Sequence, residues 1–124
     1  MPSSNTTMVI TLHAALAAHI QWKITLQAAI NRRQPLDAVS IGKDNCCDLG
    51  KWIYGEGRAS MRAQPAFTEL LKRHKVFHVE AGKVARAINA GKYADASAMI
   101  AARSAFGAAS ASVAIAIGAL EKAL

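Results

Sequence analysis

Residues 65–89 read PAFTELLKRHKVFHVEAGKVARAIN, and the spacing of their apolar positions decides the class of the fold. Phe67, Leu70, Leu71, His74, Phe77, His78, Ala81, Val84, Ala85 and Ile88 recur at three- and four-residue intervals, which places them on one face of an α-helix. Pro65 suits the first helical turn, where a missing N–H leaves nothing unsatisfied that was not already so. The run Asn89-Ala-Gly91 stops the helix, because glycine accepts the left-handed conformation that closes one. A helix with so long a stripe must bury it, so the flanking segments have to supply its partners.

N-terminal to it, Met8–Arg33 carries Val9, Leu12, Leu16, Ile20, Leu26 and Ile30 at helical spacing, with Thr6 or Thr7 as candidate N-cap. Pro35 ends that pattern. Leu36–Tyr54 is less regular, interrupted by Gly42 and Gly50 and closed by Gly55 and Gly57, which predicts short helical turns, one of them carrying Cys47 to Tyr54. Tyr93–Leu124 is alanine-rich, and Ser104–Leu120 holds no charge. That stretch is short and weakly apolar against the roughly 20 strongly apolar residues of a membrane span, so no membrane insertion is expected. Its small residues Gly107, Ala111, Ala114 and Gly118 predict a packing seam, within the bundle or between subunits. Four segments joined by short turns predict an all-α fold: an antiparallel up-and-down four-helix bundle whose short irregular segment carries Cys47. Residues 1–124 make a single domain on this reading.

The chain has 124 residues, with 15 Lys and Arg against 8 Asp and Glu. Acids are interspersed with the bases, no basic run exceeds two residues, and no nucleic-acid motif is present, so the charge reads as a solvated face and no nucleic-acid partner is expected. The opening MPSSNTTMVI lacks the basic and apolar regions of a secretory signal, which predicts a cytoplasmic location and reduced cysteines. Cys46 and Cys47 are adjacent, and a bridge between them would be strained.

The chemistry-bearing residues are few. His74 and His78 stand four apart and project from one helix face, half of a metal site or a chance pair. His19 lies mid-helix on the face of Leu12, Leu16, Ile20 and Leu26, and alone reads as a hydrogen-bonded core histidine. Cys47 alone reads as a small buried hydrophobe. Taken together, three imidazoles and one thiolate are the nitrogen and sulfur donors that tetrahedral zinc prefers. Trp22 and Trp52 read as packing around the site, with indole N–H groups able to orient ligands. Gly50 allows a close backbone approach or simply a turn. Asn45 and Asp48 are capping candidates, His13 falls on a solvent face, and Cys46 is no ligand. No catalytic constellation is present, and four protein donors leave no open coordination position, so no enzyme is expected.

Three motifs in order, His19-Ile-Gln-Trp22, then Cys47-Asp-Leu49-Gly50-Lys-Trp52 after 24 residues, then His74-Lys-Val-Phe77-His78 after 21 more, resemble those of the chemoreceptor zinc-binding domain family. The resemblance implies that His19, Cys47, His74 and His78 bind zinc, with Trp22, Gly50, Trp52 and Phe77 around them. It also implies an antiparallel four-helix bundle that forms a homodimer and regulates an output such as a soluble chemoreceptor or a diguanylate cyclase. A chain of this length has no room for such an output, so it is expected to be either a fragment or, as its opening Met1 favours, a stand-alone zinc-sensing domain acting on a separate signalling protein. The alternatives are a zinc-thiolate sensor of hypochlorite or peroxide and a zinc-stapled dimerisation module.

Overall fold

The computed structural model describes the backbone of residues 2–124 and the side chains of residues 11–124. Helix α1 spans Pro2–Arg32. It begins before the predicted Met8, so Thr6 and Thr7 fall along it rather than at its cap; their side chains, with that of Val9, lie outside the described residues. The helix closes with Arg33 in the left-handed region at φ 53°, while Gln34 N–H reaches back to Ala29 O at 3.0 Å. The chain then folds onto the far end of α5 (Pro65–Asn89). There the Asn89 amide exchanges two 2.8 Å hydrogen bonds with the Leu36 backbone, donating to its carbonyl and accepting from its N–H.

Residues 36–62 descend along α5 as short pieces: α2 (Ala38–Ile41), α3 (Asp48–Trp52), a π-helical turn Ile53–Gly57 and α4 (Arg58–Met61). Their direction opposes that of α5, because Leu36 meets Asn89, Gly42 meets Gly82, Cys47 meets His74 and Trp52 meets Phe67. The predicted fourth segment is two helices, α6 (Tyr93–Met99) and α7 (Ala105–Lys122). The break has a local cause. Ser104 caps α7 by accepting from Gly107 N–H at 3.1 Å, and a Cβ at Gly107 would lie 2.4 Å from Ala102 O, so only glycine lets the chain turn so tightly into α7.

The architecture is all-α, with no strand among the described residues. Every position of the predicted α5 stripe is buried except Leu71, which is half-buried. Its main partner is α7, whose Phe106, Ala109, Val113, Ala116, Ile117 and Leu120 are buried. The two helices run in opposite directions: Phe77 packs on Phe106 at 5.1 Å, and Arg73 reaches Ser112 O. Gly107, Ala111, Ala114 and Gly118 lie on a less buried flank of α7, and Gly118 faces open space. Within the chain, the seam with α5 is therefore made by Phe106, Ala109, Val113, Ala116, Ile117 and Leu120, and the four predicted small residues lie beside it. By length and composition α7 is apolar enough to cross a membrane, and its buried apolar residues form part of the core. From α1, Leu12, Ala15, His19, Leu26, Ala29 and Ile30 are buried, while Ile20 is 55% exposed. Ile20 follows His19 directly, and a step of about 100° around the helix turns it off the buried face.

Candidate metal centre

Three elements deliver the four predicted donors to one place. His19 comes from the middle of α1, and His74 and His78 come from successive turns of α5, all three at 3% exposure or less. Cys47 is the N-cap of α3, where its sulfur accepts from Gly50 N–H at 3.3 Å. The predicted capping candidates do otherwise: Asp48 sits in the first turn of α3, and Asn45 accepts from the exposed Cys46 thiol at 3.5 Å. His13 is exposed on α1, 3.6 Å from Glu121.

The donor geometry is that of a metal site. His74 Nε2 and His78 Nε2 are 3.0 Å apart, and Cys47 Sγ lies 3.2 and 3.4 Å from them. Ligand atoms of His19, His74 and His78 all lie within 4.8 Å of one another. Tetrahedral zinc, with bonds of about 2.0–2.1 Å to nitrogen and about 2.3 Å to sulfur, separates its donors by about 3.3–3.6 Å, so small rotations would fit this cluster to it. His19 Nε2 is buried with no hydrogen-bond partner among the described residues, an arrangement costing about 1–3 kcal/mol that a bond to a cation would relieve. His78 Nδ1–H donates to Ile41 O at 2.7 Å, which assigns its proton to that nitrogen and leaves the Nε2 lone pair facing the cluster. The donors present therefore fit zinc. His74 Nδ1 has no partner either, and the described residues offer no acceptor for it.

The surroundings are apolar. The His19 ring packs on Phe77 at 4.0 Å, and Trp22 meets His78 edge-on at 5.8 Å. Trp52, expected beside the site, packs on Phe67 and beneath Gly57, and its indole N–H is buried without an acceptor among the described residues. A cavity of about 30 Å³, the size of a water, opens between Trp22, His19 and Cys47.

Burial sets the protonation states. Desolvation, reinforced by His78, lowers His19 to about 4, and desolvation with the neighbouring histidines lowers His74 to about 3; burial also lowers His78. All three imidazoles are thus neutral donors at neutral pH. Burial pushes the Cys47 thiol up, so it is Cys47 that must give up a proton on binding a cation. Unfolded histidines titrate near 6.5, so between that value and about 3 the unfolded chain binds more protons than the folded one. The associated stability is complete above pH 6.5 and is lost as pH falls through this window. Metal-free protein should lose about 1.4 kcal/mol per pH unit for each of His19 and His74 once well below pH 6.5. Thermal melts between pH 7 and 4.5 measure this, and a flat melting temperature would contradict the burial of the cluster.

Two further contacts shape the Cys47 turn. A Cβ at Gly50 would lie 2.0 Å from Asp44 O, so the glycine of the motif serves backbone approach within the turn. Gly50→Ala should cost about 2–3 kcal/mol by overpacking, read as a shift in the urea midpoint; a shift within error would show that the turn can open. Tyr54 O–H donates to Asp44 at 2.5 Å, and burial together with that carboxylate pushes the phenol up to about 12. Sequence reasoning missed both the Tyr54–Asp44 tie and the Ile41 carbonyl. A backbone acceptor leaves no mark in residue identity, and Tyr54 stood out only as the end of the turn that carries Cys47.

Compared with known protein families, residues 19–85 match the chemoreceptor zinc-binding domain. The matched span contains all four donors and every short helix between them. No curated protein and no solved structure matches the chain.

Proposed function

The chain belongs to the chemoreceptor zinc-binding domain family, since the matched span covers more than half of it, and from that premise we propose that it is a zinc-sensing regulatory domain. Its cofactor is zinc. In this reading His19, Cys47, His74 and His78 hold the ion, and a separate signalling protein of chemoreceptor or cyclic-di-GMP type responds to its presence. The observation that carries the proposal is the placement of Cys47. Its sulfur lies within 3.4 Å of both α5 histidines, yet it sits on the least regular part of the chain.

When bound, zinc supplies a crosslink between α1, α5 and the 36–62 segment, worth most where local structure is weakest. Cys47 loses its proton, His78 keeps its own on Nδ1 against Ile41 O, and Phe77 packs its apolar ring against His19. Four protein donors close the coordination sphere, which suits regulation rather than catalysis. We read residues 1–124 as one domain, an up-and-down four-helix bundle whose second member is the broken 36–62 segment, acting in the cytoplasm as a homodimer.

A second reading, oxidant sensing by the zinc-bound thiolate, is favoured by the water-sized opening beside Cys47, the one donor that is only partly buried. Oxidation of that sulfur would eject it from the metal.

Hydrogen exchange of the zinc-bound and zinc-free protein tests the sensing role. Amides of residues 43–52 should lose protection on metal removal while those of α7 do not. Equal protection in the two forms would reduce the ion to a static staple. Limiting hypochlorite, followed by zinc release and the mass of the Cys47 peptide, tests the second reading.

A further inference from the structure

Helices α2 and α5 meet backbone to backbone. Gly82 is buried on α5, and a Cβ built on it would lie 3.0 Å from Gly42 Cα and 3.5 Å from Gly42 N. Comfortable carbon–carbon contact is about 3.5–4.0 Å, so any side chain at position 82 would push the end of α2 outward by about 0.5 Å. Glycine in a helix interior costs about 1 kcal/mol relative to alanine, and Gly82 is the only glycine in α5. Something must offset that cost at this position.

The neighbouring residues show what depends on the close approach. Ile41, immediately before Gly42, presents the carbonyl that accepts from His78 Nδ1–H at 2.7 Å, and His78 lies one turn before Gly82 on the same face of α5. An outward shift of about 0.5 Å would carry that hydrogen bond to the edge of its distance range. Beside that contact, α2 is seated by the buried side chain of Ile41 itself, while Val39 is 70% exposed.

We propose that Gly82 is a positioning residue for the metal centre. By letting α2 rest directly on α5, it sets the Ile41 carbonyl against His78 and so fixes the proton on Nδ1 and the Nε2 lone pair toward the cation. The proposal rests on the reading of His78 as a zinc ligand.

The test compares full-length wild type with Gly82→Ala. Loss of a partner that orients a ligand typically weakens metal binding about 10–100-fold, and that is the expected rise in the zinc dissociation constant, with one ion still bound per chain and helical content unchanged. In the zinc-bound wild type, the His78 Nδ1–H proton should give a downfield, slowly exchanging resonance. In Gly82→Ala it should move upfield and exchange faster, a change that general destabilisation would not produce. Gly42→Ala, whose Cβ would meet Gly82 Cα at an ordinary 3.9 Å and crowd only Ala38 O within its own turn at 3.3 Å, should weaken zinc binding less than Gly82→Ala does. Unchanged affinity or an unmoved His78 proton in Gly82→Ala overturns the positioning role alone. If Gly82→Ala does not fold, the wild-type imidazole decides: a proton on Nε2, or an Nδ1–H exchanging freely with solvent, overturns it. A wild-type protein that takes up no zinc overturns the metal centre and this proposal with it.

Discussion

Replacing Cys47 should cost more zinc affinity than any other single change, exceeding the roughly 10–100-fold that follows loss of an outer partner. Its sulfur is the softest donor in the cluster and the only one that carries charge when bound, whereas the three imidazoles are neutral. It is also the only donor contributed by the 36–62 segment, so without it the ion no longer ties that segment to α5. The substitution has a second effect that must be separated from the first. Cys47 caps α3 through Gly50 N–H, and losing a cap costs about 1 kcal/mol in its own right. Cys47→Ser preserves a capping oxygen while removing the thiolate, and Cys47→Ala removes both. The expected result is that both variants lose zinc to a chelator that wild type resists, and that their metal-free forms differ in stability by about 1 kcal/mol in favour of serine. Metal analysis of untagged protein, with chelator competition, measures the first; urea melts measure the second. Serine and alanine variants that retained wild-type zinc affinity would remove Cys47 from the coordination sphere and leave a three-histidine site.

Chelation of zinc from the wild type should have the next largest effect. A ligand present at a thousand times its dissociation constant adds about 4 kcal/mol to folding stability, so stripping it should lower the melting temperature of a domain this size by about 10–20 °C. The loss should be smaller at acid pH, because burial holds the Cys47 thiol up and it must release its proton to bind the cation, so zinc affinity falls as acidity rises. Calorimetry with and without a chelator at pH 7.5 and pH 5.5 gives both values. A melting temperature indifferent to the chelator, in protein shown by analysis to have lost its metal, would mean that the ion stabilises nothing.

Gly82→Ala, Gly50→Ala and the acid dependence of the metal-free chain probe the scaffold behind those two results, since each perturbs how the donors are held. They also divide along what the residues alone announced. The α5 stripe was legible because burial of a helix face imposes a 3.6-residue period on apolar side chains, and Phe67 through Ile88 keep that period almost without exception. Three histidines and Cys47 were legible because soft and borderline donors are scarce in this chain, and their spacing matched a family pattern whose match over residues 19–85 is now established. Ile20 was misplaced because a helix face has a width, and only the neighbours decide where it ends. Trp52 was misplaced because proximity in a motif is not proximity in space: five residues beyond Cys47, its ring lies over Gly57 and against Phe67.

Composition and periodicity thus determined by themselves an all-helical chain, and donor chemistry a candidate ligand set that the family resemblance assigns to zinc, because those properties belong to residue types and their intervals. Only the tertiary structure decided that Ile41 holds His78 and that Gly82 meets Gly42. Each of these depends on which backbone atoms approach one another across long stretches of chain, and a backbone atom is the same whatever residue carries it.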